Sequence, residues 1–207
     1  TLAWGGQAVT YTLLAADILA GSATVTVPAG TIATQGDGTF NATAKVTDGA
    51  GNSSAASSNS VVTVDTVTSG IPAISSIAED SAGGINASEA ANGTPVVVSL
   101  AGTGALAGDI VTVAWGTQSV TYTLLADDIV ASNATVTVSL GTIRAQGDGA
   151  VAVSVKLTDV AGNVGASSAG VSVTIDTVTP PAPVILPVTE NADGGINAAE
   201  AADGTSA

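Results

Sequence analysis

Hydrophobic and polar positions alternate with a period of two along most of this chain. Val136 and Val138 alternate with Thr135 and Thr137. Val151, Val153, Val155 and Leu157 alternate with Ala152, Ser154, Lys156 and Thr158. A period of two sends successive side chains to opposite faces of a pleated strand, so these runs predict strands buried on one side. Clusters of Gly, Asn and Asp separate the runs and predict turns. Between residues 66 and 176 the pattern predicts seven strands, near 71–77, 95–100, 110–115, 118–125, 134–139, 150–158 and 170–176. No helix is expected among them.

The pattern also repeats. Shifted by 111 residues, the chain lands on itself without a gap, and more than half of the paired residues are identical. Trp4 meets Trp115, Tyr11 meets Tyr122 and Asp65 meets Asp176. A period this long is one domain per repeat, so the chain reads as a slice of a tandem array. Residues 1–65 match the back of a unit, 66–176 make one complete unit, and 177–207 open a third. Seven short antiparallel strands per unit imply an all-β fold, an Ig-like antiparallel β-sandwich. Trp115 falls on the third strand, where such sandwiches bury a tryptophan, and is expected in the core. Only the middle unit holds a full set of strands, so the flanking pieces should be less stable unless neighbouring chains complete them.

Charge adds a constraint. Three basic residues (Lys45, Arg144, Lys156) face seventeen acidic ones, for a net charge of −14. That balance argues against nucleic acid or an anionic membrane as partner and fits divalent cations. It fits plain solubility as well. There is no His and no Cys, which removes the usual general base and the common zinc ligands. No apolar run approaches the roughly 18 residues that a membrane-spanning helix needs. Five aromatics (Trp4, Tyr11, Phe40, Trp115, Tyr122) are too few for a stacking platform.

The positions of the acids favour a metal over solubility alone. In a sandwich of this order the loops alternate between two poles. One pole collects Asp109, Asp127, Asp128 and the loop from Asp159 to Asn163. The other collects Glu79 to Glu89, Asp148 and Asp176. Stacked end to end, Asp37 and Asp65 of one unit approach Asp109 and Asp159 of the next. Carboxylates gathered at a seam repel one another unless a cation sits there. One loop carries calcium-ligand spacing. In Thr189-Glu-Asn-Ala-Asp-Gly-Gly-Ile-Asn-Ala-Ala-Glu200, residues Asn191, Asp193, Asn197 and Glu200 overlay EF-hand loop positions 3, 5, 9 and 12. Glu190 adds a neighbouring carboxylate. In the middle unit Asp80, Asn86 and Glu89 hold positions 3, 9 and 12, and Glu79 and Asp176 could supply the missing ligands. No helices are expected beside this loop, so the match is one of ligand spacing. The other recurring loop, Thr158-Asp-Val-Ala-Gly-Asn163, matches Thr47-Asp-Gly-Ala-Gly-Asn52. It reads either as turn chemistry or as a metal role for Asp159 and Asn163. The two joints differ. Asp176-Thr-Val-Thr-Pro-Pro-Ala-Pro carries three prolines, which hold the backbone extended. The first, Asp65-Thr-Val-Thr-Ser-Gly-Ile-Pro, has Ser69 and Gly70 instead and should flex more unless something else stiffens it.

At these motifs the chain resembles the bacterial Ig-like repeats that form extender regions of giant type I-secreted repeats-in-toxin adhesins. The resemblance spans the whole chain and rests on Thr-Asp-x-Ala-Gly-Asn, Val-x-Asp-Thr-Val-Thr and Asp-Gly-Gly-Ile-Asn-Ala-Ala-Glu. It implies extracellular display at the bacterial cell surface, calcium between neighbouring repeats of the same chain, and a stalk serving attachment or biofilm formation. Asp65, Asp159 and Asp176 match its motif positions. The expected metal set is therefore Asp65, Asp109, Asp159, Asn163, Glu79, Asp80, Glu89, Asp176, Glu190, Asn191, Asp193 and Glu200, with Ca2+ as the ion. Alternatives are a glycan- or ice-binding surface module presenting Thr135 and Thr137, or an Ig-like spacer of a secreted enzyme or S-layer protein. An enzyme is not expected, because no nucleophile system accompanies the acids.

Overall fold

The described residues form eleven strands, and six short helices join or flank them. A computed structural model describes residues 1–79, 83–186 and 195–203, without the side chains of Glu200 and Asp203. The first unit contains β1 (Leu2–Trp4), β2 (Gln7–Val9), α1 (Ala15–Ala20), α2 (Ala29–Gln35), β3 (Gly38–Ala44) and β4 (Ser60–Val64). The middle unit contains β5 (Ala73–Ile77), α3 (Ala87–Asn92), β6 (Thr94–Ser99), β7 (Ile110–Trp115), β8 (Gln118–Thr123), α4 (Ala126–Ala131), β9 (Asn133–Val138), α5 (Leu140–Gln146), β10 (Gly149–Thr158) and β11 (Val171–Ile175). α6 (Glu200–Asp203) follows in the third stretch.

In the middle unit the strands form two antiparallel sheets, one ordered β5-β6-β9 and the other β11-β10-β7-β8. The arrangement is that of an Ig-like sandwich, with one three-stranded and one four-stranded layer. Register follows the alternation: Val153 faces Trp115 across β10 and β7, and Val96 faces Val136 across β6 and β9. The inward residues of both sheets meet in one core that includes Val96, Val98, Val113, Trp115, Val136, Val153 and Leu157. Trp115 is fully buried, as its strand position predicts. Its indole N–H has no hydrogen-bond partner among the described residues.

The expectation of a helix-free unit is wrong. α3, α4 and α5 are six or seven residues each, too short for a helical period to stand out from a turn. Their ends explain them. The Ser139 hydroxyl accepts the Thr142 N–H at 3.3 Å and opens α5, and the Asp128 carboxylate accepts the Leu125 N–H at 2.8 Å at the start of α4. α5 also serves the sheet. Its Gln146 Oε1 accepts the Thr117 N–H at 2.8 Å and so holds the β7–β8 turn.

The first unit forms a single sheet ordered β2-β1-β3-β4. Its helices α1 and α2 lie 111 residues before α4 and α5. The counterpart of β9, residues 22–27, is not a strand.

Candidate functional site

Each unit end is stitched by acids whose oxygens accept backbone N–H groups. At one pole of the middle unit, buried Asp109 accepts the Leu106 N–H at 2.9 Å and the Val160 N–H at 3.2 Å. This carboxylate joins the loop before β7 to the loop after β10. Asp159 Oδ1 accepts the Asn163 N–H at 2.8 Å, and Oδ2 accepts Asn163 Nδ2–H at 2.9 Å. The Asn163 side-chain bond, helped by backbone N–H groups of the same turn, holds the Asp159 carboxyl below the usual aspartate range, against the opposing effect of partial burial. Asp48 and Asn52 repeat the turn in the first unit, with the same lowering led by Asn52.

The opposite pole uses the other acids. Asp148 Oδ1 accepts the Thr177 N–H at 3.2 Å and the Thr177 hydroxyl at 2.8 Å, and Asp37 treats Thr66 in the same way. Asp65 and Asp176 each accept the N–H two residues on, from Val67 and Val178, at 3.2 Å. The Ile85 N–H donates to the Thr174 carbonyl at 2.8 Å, and the Asp176 N–H donates to the Ile85 carbonyl at 3.0 Å. The loop after β5 is thereby sewn to the end of β11. Gly84 is required there, because a Cβ would lie 2.7 Å from the Thr174 carbonyl and φ is +120°.

Asn86 and Glu89 have a use that the EF-hand overlay did not anticipate. The Asn86 side chain accepts the N–H groups of Ser88 and Glu89, and the Glu89 carboxylate accepts the Asn86 N–H at 2.9 Å. This is a capping box that starts α3, so a helix directly follows the loop that was expected to have none. The spacing Asn-x-x-Glu was the available signal, and Asn197-Ala-Ala-Glu200 repeats it ahead of α6. Glu79 differs from the other acids. Its backbone is left-handed, with φ 70°, and its Oε2 is buried without a hydrogen-bond partner among the described residues. A buried carboxylate oxygen in that state is under-satisfied, and an added cation would satisfy it. Asp80, Glu190, Asn191 and Asp193 lie outside the described residues. Among the described residues no three acidic side chains converge into a metal cage.

The poles of the two units meet. Asn163 Nδ2–H donates to the Asp65 carbonyl at 3.0 Å, across 98 residues of sequence. Thus the end of β4 reaches the turn held by Asp159 through the Asp65 backbone carbonyl, while the Asp65 carboxylate accepts the Val67 N–H. The joint has further ties. The Gly70 N–H donates to the Thr103 carbonyl at 2.7 Å. A Cβ on Gly165 would lie 2.8 Å from the Ser69 carbonyl, and one on Gly70 would lie 3.0 Å from the Thr103 Cα. The Ser69–Gly70 joint is therefore held by close backbone packing. The later joint has Pro181 at the matching place, which has no N–H to donate. Thr135 and Thr137 are exposed on β9, an edge strand. No described helix is long and apolar enough to cross a membrane.

No family model and no curated protein matches the chain. Nine chains among the solved structures match it, and three of them follow. One is a Ca2+-stabilized adhesin of an Antarctic bacterium that binds ice, at 29% identity and TM-score 0.38, covering 69% of this chain and 32% of that one. Another is from a 1.5-MDa bacterial ice-binding adhesin studied for host cell surface retention, at 28% identity and TM-score 0.38, covering 73% of this chain and 46% of that one. The third is a bacterial immunoglobulin-like domain of the M. primoryensis ice-binding adhesin, at 27% identity and TM-score 0.34, covering 53% of this chain and 100% of that one. The chain spans less than half the length of the first two. At these TM-scores the fold assignment rests on the strand order and core described above.

Proposed function

We propose that this chain is an extender segment of a bacterial cell-surface adhesin, a stalk whose joints are stiffened by calcium and which supports attachment or biofilm formation. The hydrogen bond from Asn163 to the Asp65 carbonyl supports this reading most directly. It ties the acid-bearing turn of the middle unit to the end of the last strand of the first. The work of such a chain is mechanical: each tied joint removes hinge freedom, and many units in series act as a rod. Catalysis is no part of this reading.

The chemistry of the unit ends fits calcium, a hard cation that takes oxygen ligands. Glu79 is the first ligand we assign, because its buried Oε2 has no hydrogen-bond partner among the described residues. Asp176, sewn to the same loop through Ile85, is the second. Bound there, the ion would neutralise a pole that otherwise meets its neighbour with like charge. Calcium is scarce inside cells and abundant outside, so stiffening would follow export.

Small-angle scattering with millimolar calcium and with chelator tests the stalk. The expected distance distribution is longer and narrower with calcium. A ligand that binds only the folded chain adds about 2.7 kcal/mol at one hundred times its Kd, so calcium should also raise the melting temperature. Glu79→Gln should weaken both responses. Superimposable melts and scattering profiles would show that the acids serve only turns and solubility.

A further inference from the structure

We propose that Asn92 is a covalent modification site: with water as the only co-reactant it loses its side-chain amide, at a rate set by the opening of α3. The proposal lies wholly within the middle unit and is independent of the adhesin reading.

The chain has nine asparagines, and Asn92 alone is followed by glycine. A glycine has no side chain to shield the backbone nitrogen that joins it to the asparagine. The Asn92 side chain is exposed and makes no hydrogen bond among the described residues. Asn52, Asn86, Asn133 and Asn163 all have theirs engaged. The fold also fixes the glycine. A Cβ at Gly93 would lie 2.9 Å from Thr137 Cγ2 and 3.0 Å from the Val138 carbonyl oxygen. The close approach to β9 therefore imposes the residue that makes the neighbouring amide labile.

The chemistry balances with water alone. The Gly93 nitrogen gives its proton to solvent and attacks the Asn92 Cγ. The Cγ–Nδ2 bond breaks, Nδ2 leaves as ammonia, and a five-membered succinimide closes. Water then opens the ring. Cleavage of the new N–Cγ bond gives aspartate. Cleavage at the Asn92 backbone carbonyl gives isoaspartate, with the main chain running through Cβ and Cγ. Either product adds one negative charge.

The helix gates the first step. Asn92 is the last residue of the six-residue α3, and the Gly93 N–H donates to the Ala90 carbonyl at 3.2 Å. Attack requires that last turn to open, and a helix this short frays readily. The capping box of Asn86 and Glu89 holds its other end and so sets how often it opens. The products differ in fate. Aspartate is already used at the matching place of the next repeat, where Asp203-Gly204 stands for Asn92-Gly93. Isoaspartate adds a backbone carbon just before β6, whose first residue, Thr94, is fully buried opposite Val138.

The test incubates the whole 207-residue chain in mildly alkaline buffer and follows each asparagine by digestion and mass spectrometry. Asn92 should convert ahead of the other eight, and more slowly in the folded chain than in urea. Asn86→Ala should speed its conversion about fivefold, the factor by which loss of such a cap favours the open helix. Hydrogen exchange on the isoaspartyl fraction should show protection lost at the start of β6, whereas Asn92→Asp should keep it. Earlier conversion of any other asparagine would overturn the proposal. So would an Asn92 amide that outlasts complete conversion in urea both with and without the Asn86 cap, because the fold would then shield the site instead of gating it.

Discussion

Leu124 and Leu125 are adjacent in sequence and differ almost completely in burial, at 1% and 58% exposed. Leu124 packs in the core with Trp115 and Leu157, while Leu125 precedes α4 with its side chain largely in water. Truncating Leu124 to Ala removes three carbons from the core. At about 0.8 kcal/mol per buried CH2, transfer alone accounts for roughly 2.4 kcal/mol. The cavity left behind raises the cost to about 3–5 kcal/mol. Leu125→Ala should cost less than about 1 kcal/mol, because most of that side chain is already solvated. Urea unfolding followed by Trp115 fluorescence, in a Trp4→Phe background, reads the difference. With a slope of about 1–3 kcal/mol per molar, the midpoint should fall by at least about 1 M for Leu124→Ala and by much less for Leu125→Ala. Equal shifts for the two variants would refute the two-sheet core. A fall for Leu124→Ala of less than about 0.3 M would refute it as well, since a buried leucine cannot be removed so cheaply.

Two further outcomes test the joint. Gly165→Ala places a Cβ 2.8 Å from the Ser69 carbonyl, so it should displace the 66–70 segment and broaden the scattering distance distribution while the middle unit stays folded. An unchanged profile would show that the joint is not packed at that point. The second concerns pH. Asp159 is held below the usual aspartate range chiefly by Asn163. A carboxyl depressed by folding contributes stability above its unfolded pKa and loses that contribution as pH falls through the folded value. Carboxyl NMR titration should therefore find Asp159 ionised to lower pH than an ordinary aspartate, and Asn163→Ala should return it upward. An Asp159 titration insensitive to Asn163→Ala would remove the turn from the account of the seam.

Much of the site was legible because turn chemistry is local. Asp159 and Asn163 are four residues apart and close on each other through one turn, so their pairing needs no distant part of the fold. The capping box at Asn86 and Glu89 was equally local, but the same spacing matches a calcium loop. What spacing alone does not reveal is which N–H groups the carboxylates meet. The ties at Gly70 and Gly165 were out of reach for a different reason. Their partners, Thr103 and Ser69, come from remote sequence, and closeness of two backbones leaves no pattern beyond a glycine.

The alternation of apolar and polar residues by itself determined the strands of the middle unit, their inward faces and the burial of Trp115, because a pleated strand has a period of two and one face must leave water. Ala-Thr-Val-Thr-Val marks where that determination stops. At 134–138 it lies within strand β9 beside β6, with Ala134, Val136 and Val138 buried. At 23–27 the same five residues have no neighbouring strand among the described residues, form none, and leave Ala23 exposed. A strand's hydrogen bonds are made to another strand, so the sequence can prepare a segment for a sheet, but only a partner in the tertiary structure completes the ladder.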